Sequence, residues 1–248
     1  MSDDSVLYES SQDICTITLN RPARLNAIDE AMEKALAAAW HRFNESDDRV
    51  AILTGAGGKA FSVGKDINYD AFPEYRRFVP GFDIEVRKPI ISAINGWCIG
   101  GALTLVQMSD LCIASKSTRF MYPEAKIGFA GGIIAGLASR IPHKVAMEIM
   151  LLGEELSVER AYQIGLVNKV VDDGELMPAA RSYARRLADN APLVLEMIKG
   201  LVRQTVSPGP IERASHALHP VERVMMSEDF REGLRSAREK RPPQFKGK

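Results

Sequence analysis

The amino-acid sequence predicts an α/β fold, and three observations carry that expectation. Short apolar runs recur at 13–19 (DICTITL), 49–54 (RVAILT), 90–94 (IISAI) and 111–115 (LCIAS). Helix patterns and turn signals separate them, which is the spacing that crossover connections between strands require. From about residue 143 onward the pattern is nearly all helical, so a helical region follows the α/β core.

Taken in order, 13–19 is rich in β-formers and alternates in places, as a strand does. Residues 29–45 space Ala, Met, Leu and Trp among Glu, Lys and Arg and read as an amphipathic helix. Residues 49–54 form a buried strand that ends in the turn GAGG. The stretch 66–88 contains DAFPEYRRFVPGFD, with aromatics among charges and two prolines. It reads either as a mobile helix or loop over a site or as a plain surface connection.

The strand at 90–94 leads through Asn95-Gly96 to NGWCIGGALTL, where Gly100 and Gly101 separate a strand-like run from a helix-like one. Glycine there makes a tight turn and permits close packing. It equally offers a bare backbone N–H at a helix start to a developing negative charge. Beyond the strand at 111–115 come HKVAMEIMLLG and then SVERAYQIG, which has Ser157 at the N-cap and Gly165 at the C-cap position. Three amphipathic stretches follow, near 175–190, 192–206 and 210–238.

Bulk properties narrow the function classes. At 248 residues, 46% hydrophobic and 26% charged, the chain can bury a sizeable core as one large domain or a core with an appendage. Basic and acidic residues both number 32, so no charge bias recommends nucleic acid or an acidic membrane surface. Cys15, Cys98 and Cys112 lie in apolar segments without metal-type spacing and read as buried free thiols in a reducing compartment. The start, MSDDSVLYES, lacks a basic region followed by a hydrophobic stretch, and no apolar run approaches the ~20 residues of a membrane helix. A cytoplasmic protein is expected.

Four segments carry candidate chemistry: NRPARLNAI (20–28), GGKAFSVGKDI (57–67), NGWCIGGALTL (95–105) and YPEAKIGFAGG (122–132). The chain has neither GxxxxGK[ST] nor a GxGxxG following a strand, so a nucleotide-binding loop is a poor reading. It has no GxSxG elbow. His41, His143, His216 and His219 have no evident catalytic setting, and the i, i+3 pair His216/His219 runs into Pro220 without a nearby carboxylate ligand.

In this order the four segments resemble the enoyl-CoA hydratase/isomerase (crotonase) superfamily, from about residue 13 to the closing REGLRSAREKRPPQFKG. KAFSVGKDI, NGWCIGG and the Pro-Glu of YPEAKIG are the most specific parts. The resemblance implies a spiral of ββα repeats over 1–190. Residues 191–248 would form a C-terminal helical oligomerisation region that builds a homotrimer or a dimer of trimers. It also implies an acyl-CoA thioester substrate, with no metal and no cofactor beyond the substrate's own coenzyme A.

The resemblance assigns roles residue by residue. Removing a proton beside a thioester places negative charge on its oxygen. The backbone amides of Lys65 and Gly101 would hold that charge, at a gain of about 3–4 kcal/mol per donor. Glu124 would move the proton at the substrate's α or γ carbon, its pKa raised by an apolar pocket. Arg24, Leu25, Ala27, Val63, Lys65, Asp66 and Ile67 match positions along the coenzyme A arm. Trp97, Pro123 and Phe129 match or adjoin the acyl pocket, although Trp97 and Phe129 read equally as core aromatics. Phe245 and Lys246 resemble terminal positions that reach a neighbour's coenzyme A.

The sequence departs from the pattern at Thr104. Hydratases of the family commonly carry a second glutamate there, three residues past Gly101. A hydroxyl positions water or bonds its own helix, but it is no general base near neutral pH. Ala102 replaces a frequent third glycine, and IGFAGGIIAGLASRI lacks the usual proline-containing turn. Single-Glu proton transfer therefore favours double-bond isomerisation. The alternatives are hydration of a 2-enoyl-CoA and, from another class, a catalytically silent binding or assembly subunit.

Overall fold

The apolar runs fold as strands that pair with one another in parallel. In a computed structural model of the protein, residues 5–69, 74–128 and 132–248 are described, without the side chains of Ala217, His219 and Pro220. β2 (Ile14–Leu19), β3 (Val50–Gly55), β5 (Ile90–Ile94) and β7 (Leu111–Ser115) lie side by side. β1 (Val6–Ser11) adds antiparallel to β2, and β10 (Lys169–Val171) adds parallel to β7, completing a six-stranded sheet in the order β1-β2-β3-β5-β7-β10.

The inner strands are buried on both faces, which explains why they read as continuous apolar runs. One face carries Ala51, Leu53, Ile90, Ile94, Cys112 and Ala114 into the main core. The other carries Val50, Ile52, Ile91, Ala93 and Ile113 against α7 (Leu176–Ala188). On α7, Leu176, Ala180, Ala184 and Ala188 recur at four-residue spacing, and the small alanines bring the helix close to the sheet.

A second sheet is built from short strands: β4 (Ala60–Ser62), β6 (Trp97–Ile99) and β8 (Arg119–Met121) in parallel, with β9 (Glu155–Ser157) antiparallel to β8. Each winding gives one strand to the large sheet and the next to the small one, which is the expected spiral of ββα turns. Between the sheets and α1 (Glu30–Glu45), Trp40, Phe43, Phe61, Phe78 and Phe120 are fully buried. Each contributes at most about 3 kcal/mol of burial. Asp29 caps α1, accepting from the Met32 amide at 3.0 Å. Cys15, Cys98 and Cys112 are free and buried, and burial pushes the thiols of Cys15 and Cys112 up to about 12.

Beyond α3 (Ala102–Gln107) and α4 (Glu124–Ile127) the chain continues through α5 (His143–Leu152) and α6 (Val158–Gln163). Ser157 caps α6 through the Arg160 amide, as expected. The region after 143 is not all helical, because β9 and β10 interrupt it; three-residue strands are too short to show a period. The long stretch 210–238 divides into α9 (Pro210–Met225) and α10 (Glu228–Glu239), following α8 (Pro192–Thr205). The break lies at Ser227, whose hydroxyl accepts from the Phe230 amide at 3.0 Å while Glu228 and Asp229 occupy the first turn.

Within the stretch 66–88, residues 70–73 lie outside the described residues, and much of 74–88 is less exposed than its composition implies. Phe78 at the end of the short helix α2 (Tyr75–Phe78) and Val79, Phe82, Ile84 and Val86 after it are buried in the core. Two of its charges are turned inward, Arg76 pairing with Asp83 at 3.0 Å and with Glu222 of α9 at 2.7 Å, while Glu74, Arg77, Glu85 and Arg87 stay exposed. Among the described residues no helix is long and apolar enough to cross a membrane.

Candidate active site

β4, β6 and β8 are parallel neighbours, so the loops leaving their carboxyl ends emerge together. Those loops carry Val63–Asp66, Gly100–Gly101 and Pro123–Glu124, three of the four motif segments. The Gly100 amide donates to the Met121 carbonyl at 2.9 Å, which extends the β6–β8 ladder to the glycine pair. Gly64 has φ +77°, and a Cβ there would lie 2.8 Å from the Ile99 carbonyl and 3.1 Å from the Gly101 nitrogen. Only glycine lets the 62–66 loop lie this close to the pair.

Backbone bonds set the direction of Lys65. Ile28 donates to the Gly64 carbonyl at 2.7 Å and accepts from the Asp66 amide at 2.8 Å. In such a parallel bridge the N–H of Lys65 itself is directed away from Ile28. Its side chain plays a separate part, with Nζ donating to the Tyr69 carbonyl at 2.6 Å.

The glycine pair also clears space for two side chains. Gly100 has φ +58°, and a Cβ there would meet Glu124 Oε1 at 2.8 Å. Gly101 immediately precedes α3, and a Cβ there would meet the Tyr75 hydroxyl at 1.8 Å. The segments at 64–65, 75, 100–101 and 124 thus converge on one point.

Glu124 is only 7% exposed, and its Oε2 is buried with no hydrogen-bond partner among the described residues. Burial pushes its carboxyl up to about 7, offset in part by its own backbone amide. The phenols of Tyr75 and Tyr122 are held above their ordinary range by burial and then by the Glu124 charge. Thr104 is buried, and its Oγ1 donates to the Gly101 carbonyl at 2.6 Å. Its proton is spent inside its own helix, one of the two roles open to it from the sequence.

The 20–28 segment lies along the 62–68 loop. Val63 donates to the Leu25 carbonyl at 3.2 Å. Buried Asp66 accepts from Arg21 at 3.1 Å, from Arg24 at 3.2 Å and from the Asn68 amide at 3.0 Å. Burial raises the Asp66 pKa, but the Asn68 amide and the two guanidiniums outweigh it, and the carboxyl stays below its usual value. Arg24 is half-exposed beside this pair, Leu25 and Ile67 present apolar surface, and Ala27 is buried.

Trp97 is half-buried at the end of β6 opposite the glycine pair, and Pro123 directly precedes α4. Phe129 lies outside the described residues. Phe245 packs near Gly233 of its own α10, while the amides of Lys246 and Gly247 donate to Asp229. His216 contacts the Gly81 carbonyl at 3.2 Å.

Sequence reasoning passed over two contributors. Asn26 is fully buried and donates to the Ala56 and Ala60 carbonyls at 3.0 and 2.9 Å. Its left-handed backbone, φ 55° after Leu25 at 51°, is a conformation that asparagine tolerates, and this was the available signal. Tyr75 offered none, being one aromatic among charges.

A sequence model of the enoyl-CoA hydratase/isomerase family matches residues 9–248. Carnitinyl-CoA dehydratase of Salmonella agona (strain SL483) is 36% identical, the match covering 95% of each chain. A probable enoyl-CoA hydratase/isomerase from Mycobacterium abscessus superposes with TM-score 0.74 at 35% identity over 100% of both chains. A carnitinyl-CoA hydratase from Mycobacterium avium does so with TM-score 0.75 at 30% identity, covering 98% of this chain and 99% of that one. With this match along nearly the whole sequence and the shared crotonase fold, the chain belongs to the enoyl-CoA hydratase/isomerase family of acyl-CoA enzymes.

Proposed function

We propose that this enzyme isomerises the double bond of an enoyl-CoA by way of a thioester enolate. Glu124 takes a proton from the α carbon of a 3-enoyl-CoA, and the C–H electrons pass to the thioester oxygen. The Lys65 and Gly101 amides hold that oxygen. Protonated Glu124 then returns its proton to the γ carbon, which leaves the 2-enoyl-CoA. Each amide supplies about 3 kcal/mol of transition-state stabilisation. The scheme calls on no metal and no cofactor beyond the substrate's coenzyme A.

The observation that carries this reading is the pairing of Glu124 with Thr104. A buried carboxyl near 7 is populated in both protonation states at neutral pH, as a proton shuttle must be. The side chain one helical turn past Gly101 is a hydroxyl already bonded to the Gly101 carbonyl. Activating water while protonating carbon calls for two proton-handling groups, whereas moving one proton between two carbons calls for one. The coenzyme A arm runs along Arg24, Leu25 and Ala27 on one side and Val63, Asp66 and Ile67 on the other. Trp97 and Pro123 adjoin the acyl end.

Hydration or dehydration is the second reading, favoured by relatives named carnitinyl-CoA dehydratase at 36% identity. Incubation with 3-enoyl-CoA and 2-enoyl-CoA separates the two. Interconversion of the enoyl isomers is expected, and rapid formation of 3-hydroxyacyl-CoA from the 2-enoyl substrate would overturn the preference.

The proposal extends to assembly as a homotrimer or dimer of trimers through residues 191–248. α8 has no buried residue, and it exposes Leu193, Met197, Leu201 and Val202, while α9 exposes Val221 and Val224. Such a large uncovered apolar area calls for a partner.

A further inference from the structure

Tyr75 belongs to none of the motif segments, yet its hydroxyl is the atom nearest the space over Gly101. A Cβ built on Gly101 would lie 1.8 Å from the Tyr75 oxygen and 2.2 Å from its Cζ. The phenol therefore stands against the residue whose amide is one donor to the thioester oxygen, on the side where a side chain would project. We propose that Tyr75 is a further catalytic residue whose hydroxyl donates a hydrogen bond to the thioester oxygen as the enolate forms, beside the Gly101 amide. The inference rests on the enolate reading given above.

Three features fit Tyr75 for that task. Its ring is held in place: it packs on Phe78 at 5.1 Å between centroids, and Phe78 is fully buried. Arg76, the next residue, is tied to Asp83 and to Glu222 of α9, so α2 is anchored to two other parts of the chain. The phenol also stays protonated, because burial and the charges of Glu124 and Glu33 all oppose loss of its proton. A neutral O–H held in a desolvated site is a strong donor to a developing oxyanion. Finally, when Glu124 takes the substrate proton its charge disappears, so the field on the phenol shifts toward the new anion on the thioester.

Exchange of the α proton with D2O tests this without reference to isomerisation or hydration. The probes are butyryl-, octanoyl- and dodecanoyl-CoA, followed by mass spectrometry, with wild type, Glu124→Gln and Tyr75→Phe. The phenylalanine variant keeps the ring on Phe78, and its melting temperature checks the fold. The proposal expects Tyr75→Phe to lose on the order of 100-fold in the exchange kcat with KM nearly unchanged. Binding of acetoacetyl-CoA gives an equilibrium readout: the near-ultraviolet band of its enolate should weaken in Tyr75→Phe at equal occupancy. Wild-type exchange and an undiminished enolate band in Tyr75→Phe, with Glu124→Gln inactive, would overturn the role of Tyr75 and leave the enolate reading standing. No exchange by wild type on any probe, and no enolate band, would overturn both.

Discussion

The raised pKa of Glu124 comes at a cost to stability. Its carboxyl sits at about 7 in the folded chain against an ordinary 4.5. At roughly 1.4 kcal/mol per pH unit this disfavours the ionised folded state by about 3 kcal/mol. Between those two values the folded state binds more protons than the unfolded one, so stability falls as pH rises through that window and is level above it. Glu124→Gln removes the ionisation. It should be more stable than wild type by about 1–3 kcal/mol near pH 8 and equal to it near pH 4, as read by urea denaturation. Turnover should drop by on the order of 10³-fold at the same time. Gly101→Ala places a methyl where the Tyr75 hydroxyl stands, so the ring must move. Combined with Tyr75→Phe, its effect on kcat should fall well short of additive in a double-mutant cycle. Gly100, Gly101 and Glu124 were legible because motif order gave them away. Tyr75 was not, since its position depends on where α2 is anchored, and no local pattern encodes Arg76 meeting Glu222.

At the scale of elements, the site depends on how the 20–28 segment is fastened to the loop after β4. Asp66 is the fastener, buried between Arg21 and Arg24 and bonded to the Asn68 amide. Asp66→Ala leaves two guanidiniums without their shared acceptor and should cost about 2 kcal/mol, less than a fully buried pair because Arg24 is half-exposed. The depressed pKa means that this contribution is present above the ordinary carboxylate range and is lost as pH falls through the lowered value. The variant should also raise KM for acyl-CoA more than it lowers kcat, because the coenzyme A arm loses its wall before Glu124 moves. Strands of the large sheet were legible because burial on both faces makes them continuously apolar. The small sheet was harder to read, since β4, β6, β8 and β9 are three-residue strands whose pairing is decided by distant partners. β1 was missed for a related reason: VLYESS lies at a sheet edge, mostly exposed, and looks like a polar terminus.

At the scale of the whole molecule, an apolar region lies uncovered along α8 and α9. Leu201→Glu on α8 places a charge in that face without touching the α/β core. If the proposed assembly through 191–248 holds, sedimentation velocity should show Leu201→Glu as a smaller species than wild type, while α-proton exchange per folded chain indicates whether the site needs a neighbour. A species distribution identical to wild type would remove α8 from the assembly interface. The amphipathic stripes of these helices were visible in sequence, but a stripe does not say whether its partner lies in the same chain.

Because the proposed reacting groups hang from the ends of β4, β6 and β8, the mechanism leaves no fragment of this chain half competent. Residues 65, 101 and 124 meet only after pairings between segments far apart in sequence have closed, and such pairings form slowly. Turnover is therefore a late clock. After dilution from denaturant, far-ultraviolet circular dichroism from the helices should recover first, and catalysis should return only with the slowest strand to dock.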